Sequence, residues 1–200
     1  AKGARRPKSA LLAGTQFLCF GEYLMYKGTN TYNINSCEMI EVFYNIRTDL
    51  DKLNYAVHMT KIIRDVTEEN QNCYKILQLY LNTLYTLSET DKDPEFILSI
   101  FKLKLLCFLG FTPRITECTN CKSKENIKYF SIKDNGIKCE ACARQDKSCL
   151  EMSESTQNAI KYIVLAPAKK LYSFNLKDES LNELKLITKI FFDEKLEKQY

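Results

Sequence analysis

Histidine is almost missing from this chain: His58 stands alone among 200 residues. There is also no nucleophile elbow, Walker loop, dinucleotide fingerprint or His-Glu-x-x-His pattern. The groups that usually carry acid–base, nucleophilic or metal-assisted chemistry are therefore not assembled. Carboxylates do not fill the gap. Glu68–Glu69 and Asp91 with Asp93 fall in polar turns or at helix ends, where solvated and capping roles are the default. No apolar run is long enough for a membrane helix or a secretory leader. No internal repeat, low-complexity tract or flexible linker interrupts the sequence. The expectation is a soluble binding protein that is not an enzyme, with His58, beside Met59, an ordinary helix residue.

An acid–base imbalance is also lacking over most of the length. The net charge is +4, and Lys2, Arg5, Arg6 and Lys8 account for all of it; the rest balances 25 basic against 25 acidic side chains. Ala-Lys-Gly-Ala-Arg-Arg-Pro-Lys-Ser reads either as a solvated terminus or as a loop that contacts phosphates. In the second reading guanidinium and ammonium groups release counterions from a polyanion, while Gly3 and Pro7 shape the loop.

Cysteine, by contrast, is plentiful, and its arrangement is informative. Cys118-Thr-Asn-Cys121 and Cys139-Glu-Ala-Cys142 are two Cys-x2-Cys knuckles separated by 17 residues, the pattern of a closed, structural tetrahedral zinc site. The spacer predicts a strand over 127–132, a turn at Asn135-Gly136, and a short return through Ile137-Lys138. Cys149, just beyond, is an alternative ligand, although the paired knuckles already complete a site. Cys19, Cys37, Cys73, Cys107 and Cys149 are odd in number and irregularly spaced, so a reducing cytosol fits better than a disulfide framework. Between Arg114 and Lys147 eight basic residues face five acidic ones. Four thiolates and one zinc bring that stretch close to neutral, so packing or scaffolding is as good a role for it as contact with nucleic acid.

The front end reads as β. A strand region covers Gly14 to Lys27, with Phe17, Phe20, Tyr23 and Tyr26 as the inner face of a sheet or as base-stacking groups. Lys27-Gly-Thr-Asn30 is a turn, Thr31 to Cys37 a returning strand, and Met39 to Phe43 a further extended stretch. These are too few strands to close a barrel. From Ile46 the period turns helical, with Ile46, Leu50, Leu53 and Val57 as an apolar stripe. A second helix over Cys73 to Leu87 is expected to bury Leu77, Tyr80, Leu81, Leu84 and Tyr85. The third is the best delimited, with Asp93 as cap, Pro94 in the first turn and Gly110 at the carboxyl end. It is apolar nearly all round and belongs at the centre of a bundle. Ser153 or Ser155 starts a helix that Pro167 interrupts, and a last amphipathic helix spans Asp178 to Leu196 with Leu181, Leu184, Ile187 and Phe191 inward.

Three phrases, taken with this order of parts, resemble the bacterial RecO family of recombination mediators: the basic opening, Arg47-Thr-Asp-Leu-Asp-Lys-Leu, and Phe101-Lys-Leu-Lys-Leu-Leu-Cys-Phe-Leu-Gly-Phe-Thr-Pro113 running into the first knuckle. The likeness covers essentially the whole chain. It implies an α+β protein with a partial OB-fold front end and a mainly helical bundle carrying an inserted four-cysteine zinc module. The divisions are 1–44 for the DNA-binding front, 45–113 helical, 114–150 zinc-binding, and 151–200 completing the helical domain.

The resemblance also implies an activity. Such proteins bind single- and double-stranded DNA and anneal complementary strands, including strands coated by single-strand-binding protein. With RecR they help load RecA, in the bacterial cytoplasm at the nucleoid. Cys118, Cys121, Cys139 and Cys142 match the family's zinc ligands, and Lys2, Arg5, Arg6 and Lys8 its basic DNA-facing segment. The acidic, apolar-ended tail of single-strand-binding protein docks on the helical region in this family, and by chemistry Lys169 and Lys170 are candidates to meet it. Members usually carry further residues before the basic phrase, so a truncated OB-fold with an unpaired edge is expected. Lys122 stands where such knuckles often have glycine, which predicts a left-handed backbone there. The alternative function is a zinc-stabilised interaction scaffold whose basic arm is incidental.

Overall fold

The computed structural model describes residues 3–4, 6–29 and 31–198. They divide into two units, 1–49 and 50–200. In the first unit β1 (Phe20–Lys27) and β2 (Tyr32–Glu41) pair as one antiparallel hairpin, with register irregularities at Phe20/Gly21 and Leu24/Met25. The Gly28 N–H donates to Thr31 O (2.8 Å) inside the expected turn. The preceding strand is shorter than predicted. Residues 14–18 are turns, because the Thr15 hydroxyl and Gln16 amide donate back to Leu11 O and Leu12 O and Leu18 takes a positive φ of 59°. The return strand is longer, running without a break through Cys37 to Glu41. Phe17 and Tyr26 are exposed and only Phe20 and Tyr23 are partly covered, so two of the four aromatics expected on an inner face do not lie on one. Two strands do not close a barrel, and α1 (Tyr44–Arg47) ends the segment.

The second unit is built around α4 (Pro94–Phe108). Its start is set as the residues predict: Asp93 caps it by accepting from the Glu95 N–H (2.9 Å), and Pro94 occupies the first turn. Its end is a Schellman motif, in which Phe111 N–H donates to Leu106 O and Gly110 N–H to Cys107 O. Gly110 has a φ of +95°, a conformation that costs a residue with a Cβ. Around α4 pack α2 (Leu50–Val66), α3 (Tyr74–Glu89), α6 (Glu154–Leu165) and α7 (Asp178–Leu196). Ser153 caps α6, and Glu183 of α7 accepts from the Ser153 N–H (2.8 Å) and from the Ser153 and Thr156 hydroxyls, tying the last helix to the start of α6. Helix α6 stops before Pro167, and Leu184, Ile187 and Phe191 point inward as expected.

Two helix faces differ from expectation. The stripe Ile46–Leu50–Leu53–Val57 is not one face: the chain breaks at 48–49, Leu50 and Val57 are exposed, and Ala56, Met59 and Ile62 are buried instead. On α3, Leu77 and Tyr85 are exposed while Ile76, Leu79, Leu84 and Leu87 are buried. Both helices carry apolar residues on opposite sides, so period alone does not choose between the faces.

Helix α4 also buries two lysines, Lys102 at 5% and Lys104 at 7% exposure. Burial lowers the pKa of Lys104, and its Nζ donates to Ile163 O (3.1 Å), Val164 O (2.8 Å) and Ala166 O (2.9 Å). One ammonium thus satisfies the orphan carbonyls at the end of α6.

Beyond α4, β3 (Ile127–Ser131), β4 (Gly136–Cys139) and β5 (Cys149–Glu151) form a sheet in the order β4-β3-β5, with α5 (Glu140–Ala143) after β4. The β3–β4 hairpin is the one predicted; β5, three residues long, is not visible as a period.

Candidate functional site

The two knuckles are shaped by backbone hydrogen bonds before any metal is considered. Cys118 N–H donates to Ser123 O (2.8 Å) and Lys122 N–H to Cys118 O (3.1 Å). Lys122 has a φ of +65°, the left-handed conformation anticipated for it. The Glu140 N–H donates to Asn126 O (3.2 Å), drawing the second knuckle onto the first. Gly136 allows the lead-in segment to lie against β4: its backbone bridges Arg114, and a Cβ there would stand 2.6 Å from Arg114 O.

The result brings together all four predicted ligands. The sulfurs of Cys118, Cys121, Cys139 and Cys142 lie within 4.8 Å of one another, and those of Cys121 and Cys139 are 3.6 Å apart. A tetrahedron with Zn–S bonds of about 2.3 Å has sulfur–sulfur edges of about 3.8 Å. The cluster therefore needs only a small contraction to hold one ion. Its electrostatics also call for a cation. Burial raises the Cys118 thiol, but N–H groups of Cys139, Cys121 and Asn120 outweigh it and bring the pKa down to about 6. The Ser123 N–H lowers Cys121, yet the neighbouring sulfurs of Cys139, Cys118 and Cys142 prevail and lift it to about 11. One thiolate is stabilised by the fold and further ones repel it, which a thiophilic dication would reverse. Cys149 is not part of this group: it sits in β5 opposite Ser131, and burial followed by the Asp146 charge pushes its thiol up to about 11.

Away from the sulfurs a different device holds the same stretch. Lys138 of β4 pairs with Asp146 (2.7 Å) and with Asp134, and Asp146 also accepts from the hydroxyls of Ser131 (2.6 Å) and Ser148 (2.7 Å). Phe130 of β3 is fully buried, edge-on to Phe191 of α7 at 5.2 Å.

A second candidate is a cleft of about 590 Å³ between α2, α4 and α7. Tyr55, His58, Leu98, Lys102, Leu186 and Lys189 contribute to its walls. Burial, then the Lys102 and Lys61 charges, lower the His58 pKa. His58 is thus a half-buried member of a basic recess. Sequence periodicity marks α4 as central, but nothing in it signals that Lys102 and the hydroxyl of Thr188 are enclosed there.

Of the basic arm, Arg6 and Lys8 are exposed, and they make no ion pair among the described residues; Lys2 and Arg5 lie outside those residues. Lys169 and Lys170 are exposed on a 3-10 turn after α6.

Comparison with known proteins decides the family. The description "Recombination protein O C terminal" matches residues 47–200. The chain belongs to the RecO family. It is 44% identical over its full length to a DNA repair protein RecO of Acetivibrio thermocellus, covering 80% of that protein. It is 33% identical to the DNA repair protein RecO of Alkaliphilus metalliredigens, and 29% identical to that of Bacillus subtilis, covering 76% of each. Both units fall within these RecO alignments, while the family description itself begins at Arg47 and takes in the four-cysteine cluster and the cleft. No helix among the described residues is long and apolar enough to cross a membrane.

Proposed function

We propose that this chain is a non-enzymatic DNA repair mediator. It binds single- and double-stranded DNA, anneals complementary strands in the bacterial cytoplasm at the nucleoid, and with RecR helps to load RecA on DNA coated by single-strand-binding protein. The observation that carries this reading is the confinement of the whole positive excess to one arm, exposed at Arg6 and Lys8, in a chain whose relatives are DNA repair proteins. Lys2, Arg5, Arg6 and Lys8 track phosphates, and residues 1–44 belong to an OB-fold completed by further strands. Annealing needs no nucleotide hydrolysis, because base pairing stabilises the product. The four cysteines hold one structural zinc, which supplies cross-linking of the two knuckles and no reaction.

The tail of single-strand-binding protein is acidic and apolar-ended. Lys169, beside Lys170 on an exposed turn, lines a smaller recess with Tyr85, Ala168 and Tyr172. The cleft between α2, α4 and α7 offers lysines beside Leu98 and Leu186, and we assign the tail to it.

A second reading, an interaction scaffold, is favoured by the outer face of α3, where Tyr74, Leu77 and Tyr85 are exposed. The two readings part in one assay. Complementary labelled oligonucleotides coated with single-strand-binding protein are mixed with the zinc-loaded chain and followed by energy transfer. Mediator function predicts faster pairing without ATP, steeply salt-dependent and lost in Arg5→Ala/Arg6→Ala. DNA binding without any acceleration of pairing, in a chain with its OB-fold complete, would sink the mediator reading.

A further inference from the structure

The cleft contains its own competitor. Lys185 lies at its edge, and its Nζ is held by Asp93 Oδ2 (2.6 Å) and Glu95 Oε2 (2.9 Å). Desolvation lowers the Lys185 pKa, but these two carboxylates outweigh it and raise it, so the cation is fully charged and already engaged. The two acids are not equivalent. Asp93 is committed to the fold as the cap of α4, accepting from the Glu95 N–H. Glu95 is 54% exposed, lines the cleft, and pairs its side chain with Lys185. Behind it lies a floor in which burial lowers the Lys102 pKa and the Asp193 and Glu95 charges partly restore it. Lys102 is nearly buried, its ammonium 5.1 Å from the centre of the Phe192 ring. The Thr188 hydroxyl, on a residue 1% exposed, has no hydrogen-bond partner among the described residues. Leu98 and Leu186 add apolar lining to the same cleft.

We propose that Glu95 is an internal stand-in for a ligand carboxylate: it occupies Lys185 until an acidic, apolar-ended peptide displaces it, and so sets the affinity of the cleft. This rests on the cleft being the peptide site. An incoming carboxylate competes with Glu95 for Lys185, and the Glu95 charge, displaced or not, repels it. The exchange trades one ion pair for another, so net ion pairing, and with it the salt dependence, is small. Without the Glu95 charge the same peptide forms a new pair and meets no repulsion.

The test uses the full zinc-loaded chain and a short fluorescein-labelled peptide of aspartates ending in leucine with a free carboxylate, read by anisotropy. Glu95→Gln is expected to bind about threefold more tightly than the unaltered chain at low salt, and its affinity should fall more steeply as salt is added. Glu95→Asp, which keeps the charge, should stay close to the unaltered chain. Lys185→Gln and Thr188→Val should bind more weakly, with thermal melting confirming that each variant is folded. If the unaltered chain binds the peptide and Glu95→Gln binds it no better, the gate is wrong while the docking assignment stands. If neither binds, both fall.

Discussion

At one end of residues 114–151 four sulfurs converge within 4.8 Å; at the other, Phe130 packs against Phe191 and Lys138 is clasped between Asp134 and Asp146. Apart from its sulfurs, the first end is held by the backbone hydrogen bonds of its turns. Its turns depend on Lys122 and Asn126 in left-handed conformations, and Cys121 is exposed. The second is continuous with the helical core: β3 pairs with β5, and β5 runs into α6. The contrast is between a four-sulfur cluster that could hold a metal ion and a sheet held by the protein that surrounds it.

Metal removal is the strongest way to break this comparison, since structural zinc sites in small modules are worth on the order of 10 kcal/mol. In chelator the amides of Cys118, Lys122 and Glu140 should lose protection from hydrogen exchange, while those of Ile137 and Met152 keep theirs. Collapse of the whole second unit would show that the two ends are one cooperative piece. Phe130→Ala attacks the other end. Truncating this buried ring should cost about 3–5 kcal/mol, read in denaturant unfolding, and should affect the metal-free protein as severely as the metal-bound one.

The ion cluster sharpens the contrast further. Hydrogen bonding from Lys138 and Ser131 outweighs desolvation and holds the Asp146 carboxyl well below the usual carboxylate range. A depressed folded pKa means that the stabilisation is complete above the unfolded value, about 3.9, and is lost as pH falls below it. Acidifying the metal-free protein below about pH 4 should therefore lower its stability progressively, while the folded clasp itself is still ionised near pH 3. Asp146→Asn should cost about 3 kcal/mol at neutral pH, because Lys138 is left buried with a weaker partner, and should flatten the acid response. An unchanged melting profile in this variant would remove the clasp from the account. The smallest effect is Lys122→Gly, expected to gain about 0.5–1 kcal/mol by relieving the left-handed backbone. The gain should appear as tighter metal retention against a chelator.

How much of this was readable beforehand depends on how local each determinant is. The caps of α4 and α6 and the four-cysteine cluster are written within a few residues of where they act, and they were legible; the turn falls slightly earlier than expected, over 132–135, with Gly136 already in β4. The inward faces of α2 and α3 were not, since Leu50, Val57, Leu77 and Tyr85 are as apolar as the residues that won the core. Buried lysines were invisible for a related reason. Lys102 and Lys104 look like breaks in a hydrophobic run, and only the neighbours brought up by the fold make them useful.

Lys104 also implies an order of events. The carbonyls that end α6 belong to residues 163–166, some 60 positions downstream of the ammonium that satisfies them. Until the central helix is in place those groups have only water as partners, so the end of α6 is complete only once it docks on α4. A ribosome delivers the pieces in that sequence, α4 before the segment that it closes.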